Sequence, residues 1–258
     1  MRTTVVRSYR TEAVPDWIST CLGSVRNWAT DQGWTYRFVG DEILDLLPAT
    51  YRANARGCLP ILTDLGRLLL ARQCLADGAE RVIWMDADLL VFDPGRLHID
   101  VTDEFAFGRE VWVQPGADGR LRVYRNVHNA IAVFTAGNSF LDFYVHACEQ
   151  IVGRLSTGGP PQIVGTKLLT ALHNIIGFTL IDEVAMFSPA VVRDLHAGGG
   201  EALRRLAEAS PVSPRAANLC SSLVGEGAEE GLDDEMMAEV CARLIADRGH
   251  AGFSGSPP

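Results

Sequence analysis

Apolar and polar positions along the chain switch between a period of two and a period near 3.6, laying out short strands between longer helices. Thr3-Thr4-Val5-Val6-Arg7-Ser8-Tyr9 is rich in β-branched residues and reads as a first strand. Pro15 opens a helix from Asp16 to Thr30, where Trp17, Ile18, Cys21, Leu22, Val25 and Trp28 recur at three- and four-residue steps until Gly33. Thr35 to Val39 predicts a second strand. Leu62 to Asp77 is the clearest helix, with Thr63 as its candidate cap and Gly78 as its stop. The run Val82-Ile83-Trp84-Met85 after Arg81 is apolar without alternation, the mark of a strand covered on both faces. A helix returning directly to such a strand is the βαβ unit of an open α/β sheet.

The second part of the chain is less sharply written. Phe105 to Gly108, Val111 to Val113 and Asn129 to Phe134 predict three strands, with a loop or hairpin turn at Gly116 to Gly119. Phe140 to Val152 predicts a helix. Thr157-Gly158-Gly159-Pro160-Pro161 breaks the chain before a helical run from Ile163 to His173 and a strand at Thr179 to Ile181. The texture changes near residue 195, at Gly198-Gly199-Gly200. A helix is expected from Glu201 to Ala209, and the acids between Glu226 and Glu239 read as a solvated helix face or loop. The organisation that follows is a core over residues 1–195, a helical C-terminal extension over 196–251 and a disordered tail over 252–258.

Composition narrows the function. With 258 residues the chain can bury roughly 70% of its extended surface, so neither disulfide nor metal is required merely to hold it together. Lys and Arg number 23 against 32 Asp and Glu, and a net charge of −9 argues against wrapping nucleic acid or coating anionic lipid. No apolar stretch follows the basic Met1 to Arg10, and no run approaches the ~20 residues of a membrane span. Cys21, Cys58, Cys74, Cys148, Cys220 and Cys241 are scattered without a CxxC pair, which predicts reduced thiols and a cytoplasmic setting.

The stretch that bears chemistry is Trp84-Met85-Asp86-Ala87-Asp88. Residues two apart in extended chain share a face, so Asp86 and Asp88 point together where a buried strand ends. Ligand crevices of open α/β sheets lie at that end. Two carboxylates side by side repel, and a hard cation such as Mg²⁺ or Mn²⁺ relieves the conflict while drawing further oxygens from phosphates. A bare D-x-D arises about once by chance in a chain this long; the apolar strand before it and the small Ala87 within it set this one apart. Upstream, Asp64 and Arg67 share a helix face at i and i+3, an arrangement that is ordinarily only a surface ion pair.

Ile61-Leu62-Thr63-Asp64-Leu65-Gly66-Arg67 together with Val82-Ile83-Trp84-Met85-Asp86-Ala87-Asp88 resembles the signature of GT-A-fold, DXD-containing, nucleotide-sugar glycosyltransferases, in particular the mannosyltransferase-like and glycogenin-like retaining groups. The resemblance covers residues 3–95 and loosens after about 100. It implies a Rossmann-like, mixed but mostly parallel sheet flanked by helices, with residues 1–95 as the nucleotide-sugar half and 96–195 as the acceptor half. It implies a UDP- or GDP-linked sugar donor, a small-molecule or glycan acceptor, and bound Mn²⁺ or Mg²⁺. Asp88 would be the main metal ligand, and Asp86 would touch the ion through water or hold the ribose. Asp64 and Arg67 would meet the donor sugar and phosphate, and Ser8, Tyr9 and Arg10 the nucleoside. Asn129 falls where relatives carry an Asn facing the sugar or acceptor, and Gly159, Pro160 and Gln162 fall beside the donor sugar, with Asp64, Arg67 and Gln162 as the expected catalytic residues. The family's histidine motif for a third metal ligand is missing, and His196, Asn218 and Ser221 stand as its candidate replacements.

No carboxylate stands out as a catalytic base, as expected of a retaining enzyme, although Glu110 or Asp182 could serve an inverting one. Two other readings compete. One is a haloacid-dehalogenase-like phosphotransferase, which also places D-x-D after an apolar strand; the other is a catalytically silent nucleotide-binding protein of the same fold.

Overall fold

A computed structural model describes residues 1–155, 159–224 and 231–253. The chain runs through β1 (Thr3–Ser8), α1 (Asp16–Asp31), β2 (Thr35–Val39), a 3-10 segment (Asp41–Leu46), α2 (Ala49–Ala55), α3 (Leu59–Ala76), β3 (Arg81–Met85), β4 (Leu89–Val91), β5 (Phe105–Pro115) and β6 (Leu121–Thr135). There follow α4 (Phe140–Gly153), α5 (Thr166–Ile176), β7 (Leu180–Ile181), β8 (Val184–Met186), α6 (Pro189–Ala197), α7 (Glu201–Ala209), β9 (Ala216–Asn218), a 3-10 turn (Ser221–Leu223), α8 (Asp234–Asp247) and α9 (His250–Phe253).

Six strands form one sheet in the order β2-β1-β3-β6-β5-β7, in which only β6 runs against its neighbours. It is the expected mixed, mostly parallel sheet between helices. β1 and β3 lie side by side and parallel, with Val6 opposite Trp84, so their carboxyl ends open on the same edge. The missing alternation in β3 has its cause in the packing. Val82 and Trp84 enter a core shared with α3 and α4, while Ile83 and Met85 enter another with Val25 and Trp28 of α1.

α3 begins three residues before the expected start. Pro60 stands in its first turn, and Thr63, expected as the cap, donates from Oγ1 to the Leu59 carbonyl at 3.0 Å inside the helix. Burial runs almost unbroken from Asp64 to Ala71, because the 3-10 segment covers the flank that would otherwise be polar. Gly66 permits this: a Cβ there would lie 3.1 Å from Ile43 Cγ1.

Two strands expected at 105–108 and 111–113 are one strand, and β6 begins eight residues before Asn129. The hairpin turn at 116–119 joins them. Their register shifts between Phe107, opposite Ala132, and Gly108, opposite His128. Three residues of β6 are thus unmatched on β5, and Asn129 is among them.

Residues 196–253 supply the expected helices and also the strand β9, which inserts between β4 and β8 in a second, three-stranded sheet. Phe253, inside the expected tail, is buried and stacks on Phe187. Residues 156–158, 225–230 and 254–258, which hold parts of the Gly-Pro breaker, the acidic run and the tail, lie outside the described residues. All six cysteines are free, and no helix among the described residues is long and apolar enough to cross a membrane.

Candidate functional site

A cleft of about 510 Å³ opens at the carboxyl ends of β1 and β3. Asp86 and Asp88 line it together with Ser8 and Tyr9 of the β1 end, Asp64 and Arg67 of α3, Asn129 of β6, and Gln162. Most of the residues singled out in the sequence therefore meet in one place.

Arg67 is the hub. Its guanidinium lies 3.2 Å from Asp64 Oδ1 and 3.1 Å from Asp86 Oδ1, and it donates to the Asn129 carbonyl at 2.7 Å. It also sits over the Trp84 ring, 5.2 Å from the centroid. With Arg67 and Asp64 both nearly buried, theirs is no surface ion pair. Burial alone would lower the Arg67 pKa, but Asp86 and Asp64 raise it above the usual value, so the cation is secure. Burial lifts the Asp64 carboxyl to about 6, against the pull of Arg67 and of the Asn129 amide that donates to it at 2.8 Å. Gly165 closes over this group: a Cβ there would fall 2.7 Å from Asp64 Oδ2.

The two aspartates are held differently. Asp86 Oδ1 accepts from the Trp84 indole at 2.6 Å as well as from Arg67, and its side chain keeps 24% exposure. Asp88 is buried. Its Oδ1 accepts from the Asn218 amide at 2.6 Å, its Oδ2 from the Ser221 backbone N–H at 2.7 Å, and its carbonyl from the Leu219 N–H at 3.0 Å. Burial first, and then Asp86, push the Asp88 pKa up, while Ser221 draws it down. Cys220, between Asn218 and Ser221, has φ of +54°, a left-handed conformation unusual for a side-chain-bearing residue, and this turn aims the Ser221 N–H at Asp88.

Arg7, unflagged in the sequence, is fully buried beneath the pair. It donates to the carbonyls of Asp86, of Leu89 at 3.1 Å and of Cys21 at 2.7 Å, tying both ends of the Asp86–Leu89 turn to α1. His128 was missed as well. Its Nδ1 accepts from the Ala130 N–H at 3.2 Å and its Nε2 lies 3.1 Å from the Val184 carbonyl, pinning the β6 irregularity that presents Asn129. Burial pushes this imidazole down to about 4. No local pattern marks either residue, since each is recognised only by what folds around it.

Several expectations are corrected. Arg10 does not line the cleft; its guanidinium lies over the Tyr9 ring and donates to the Ala13 carbonyl. Gly159 and Pro160 are also absent from the lining, where Pro161, Gln162, Gly165 and Thr166 stand instead, because the chain enters the cleft only on approaching α5. His196 lies on α6, 3.2 Å from Glu239 and outside the cleft, so it is no metal ligand there. Asn218 and Ser221 do reach Asp88, but as hydrogen-bond donors, and the Asn218 Oδ1 is taken by the Cys220 N–H at 2.9 Å. Among the described residues no three His, Cys, Asp or Glu side chains gather as a ready metal cage. Asp182 pairs with Arg109 at 2.5 Å and lines a separate cavity with His98 and Asp100.

No protein-family model matches the chain, and no curated protein matches it in sequence. Among solved structures, a glycosyltransferase involved in the glycosylation of the major capsid of PBCV-1 aligns over 92% of this chain and 98% of its own, at 11% identity and a TM-score of 0.51. The galactosyltransferase LgtC, solved with donor and acceptor sugar analogs, aligns over 93% and 95%, at 10% identity and a TM-score of 0.47. The first of these likenesses, with the strand order described above, shows that the chain has the mixed α/β fold of the GT-A glycosyltransferases.

Proposed function

We propose that this chain is a metal-dependent glycosyltransferase that moves a sugar from a UDP- or GDP-linked donor to a small-molecule or glycan acceptor with retention of anomeric configuration. The observation that carries the reading is the joint placement of Asp86 and Asp88 on one cleft with Arg67 between Asp86 and Asp64. The carboxylates fit Mn²⁺ or Mg²⁺. Such ions keep several waters and ordinarily bind through one or two carboxylates plus substrate phosphates, so two protein ligands suffice. Burial, and after it the like charge of Asp86, push the Asp88 pKa up, and a cation between the two carboxylates would relieve both. When bound, the ion would supply Lewis-acid stabilisation to the departing diphosphate.

The chain's own residues do the rest. Arg67 holds the diphosphate with donors already oriented by Asp64, Asp86 and Asn129, so little reorganisation accompanies the charge that develops there. Asp64, buried, and Asn129, half-buried, are hydrogen-bonded to each other and offer the donor sugar's hydroxyls a fixed acceptor and donor. Tyr9 gives the nucleoside an aromatic wall beside Ser8. Retention rests on the carboxylates: Asp64, Asp86 and Asp88 are each engaged by protein donors, which leaves the acceptor's proton to the departing phosphate oxygen.

One observation favours the opposite stereochemistry. Glu110 is buried in the adjoining cavity with its pKa pushed up by burial, as suits a general base. Turnover of a UDP- and GDP-sugar panel with Mn²⁺, with the product anomer read by NMR, tests both. Retention is expected, and inversion lost in Glu110→Gln would replace it. Nucleotide binding without any product would mark a silent protein.

A further inference from the structure

Beside the cleft lies a second cavity, of about 830 Å³, walled by the β5–β6 hairpin and α5. The two share Gln162, Thr166 and Ser222. The hairpin register explains the wall. Glu110 stands opposite Asn126 and Trp112 opposite Tyr124, so alternate residues of both strands place a carboxyl-amide rung and an aromatic rung on one face. The alternating partners Val111 and Val113 point the other way, into the core. The polar rung is satisfied, with the half-buried Asn126 amide donating to the buried Glu110 at 2.6 Å. The aromatic rung is open: Tyr124 is 40% exposed, and the Trp112 indole is steadied by a 2.8 Å hydrogen bond to Gln114. From α5, Thr170 and Asn174 face the same space one turn apart.

We infer that this cavity is a binding site for a neutral oligosaccharide, whose sugar rings lie on the Trp112–Tyr124 pair while hydroxyls meet Glu110, Asn126 and the α5 wall. The chemistry selects the class. Pyranose rings carry an apolar C–H face and a rim of groups that donate and accept together, which suits aromatic rings flanked by amides and hydroxyls. An aliphatic chain would bury that rim unpaired, at a cost. A polyanion would find Lys167 as the sole base among the lining residues, with Glu110 against it. The volume is of the order that holds a ligand of several rings. As the acceptor subsite this rests on the glycosyltransferase reading; as a glycan site it stands without it.

The test separates the two. Wild-type protein is screened on a printed glycan array, and the strongest binder is titrated in solution by calorimetry. Trp112→Ala is expected to weaken it about tenfold or more, with Trp112→Phe recovering most of the loss. Calorimetry with Mn²⁺ and UDP or GDP on the same proteins reads the neighbouring cleft. Failure of nucleotide binding with glycan binding intact would sink the donor reading and leave the hairpin site standing. A wild-type protein that captures no glycan overturns the inference, as does full affinity in a folded Trp112→Ala, Tyr124→Ala double variant.

Discussion

The cleft and the hairpin cavity share a wall and differ in what they are made of. The cleft concentrates three carboxylates and a guanidinium, all fixed by neighbours, at the open ends of parallel strands. The cavity holds one carboxyl, amides, hydroxyls and two aromatic rings on an antiparallel hairpin. Fixed charge in a poorly hydrated site is worth holding only where a ligand brings its own charge. Amides and rings suit a ligand with none. On the proposed reading, that difference would suit the first to the diphosphate end of a donor and the second to a neutral acceptor. His128 stands at the divide, because the irregularity it pins sends Asn129 to one side while Asn126 faces the other.

Three substitutions break or sharpen that contrast, and their effects should fall in order. Asp88→Ala removes a carboxylate from the charged side alone. Turnover should fall about a thousandfold, the scale of several kcal/mol of lost electrostatic stabilisation, while glycan affinity at the hairpin stays within twofold by calorimetry. Equal loss at both sites would mean that they are one. Arg7→Met probes whether the cleft is rigid through its backbone. The Asp86, Leu89 and Cys21 carbonyls would lose their donor, so denaturant unfolding should register a loss of about 3 kcal/mol. A loss below about 0.5 kcal/mol would show that the turn holds itself.

The smallest effect is a pH dependence. His128 has its pKa lowered to about 4 in the folded protein, against ~6.5 unfolded. Below pH ~6.5 the unfolded chain takes a proton that the native imidazole refuses, so this group removes stability as pH falls, until the native form also titrates near 4. Its contribution at pH 5 should be about 2 kcal/mol less favourable than at pH 7. Asp64, raised to about 6, works the other way over much of the same window. The clean measurement is therefore the difference in unfolding free energy between wild type and His128→Gln at pH 7 and pH 5. A gap that does not narrow toward pH 5 would contradict the buried neutral imidazole.

Legibility in the sequence followed the origin of each signal. β3 and the two aspartates stood out because a strand covered on both faces shows no alternation and then ends abruptly in charge. Asp64 and Arg67 were visible as a pair, but the burial that makes them a hub comes from the 3-10 segment and α5, which no local pattern announces. The hairpin looks shorter in the sequence than it is, because the residues of its cavity face, Glu110, Tyr124 and Asn126, resemble ordinary polar interruptions until the register pairs them. β9 is three residues long, and its meaning lies in delivering Asn218 and the Cys220 turn to Asp88 from 130 residues away. Arg7 looked like an ordinary strand residue, although it is the cation under the whole site.

Isothermal titration of Mn²⁺ into the protein with UDP or GDP in excess tests the cleft most directly. Saturable uptake that needs the nucleotide and vanishes in a folded Asp88→Ala variant is expected. No uptake by the wild type, or equal uptake by the variant, would contradict a diphosphate-bound cation at Asp86 and Asp88.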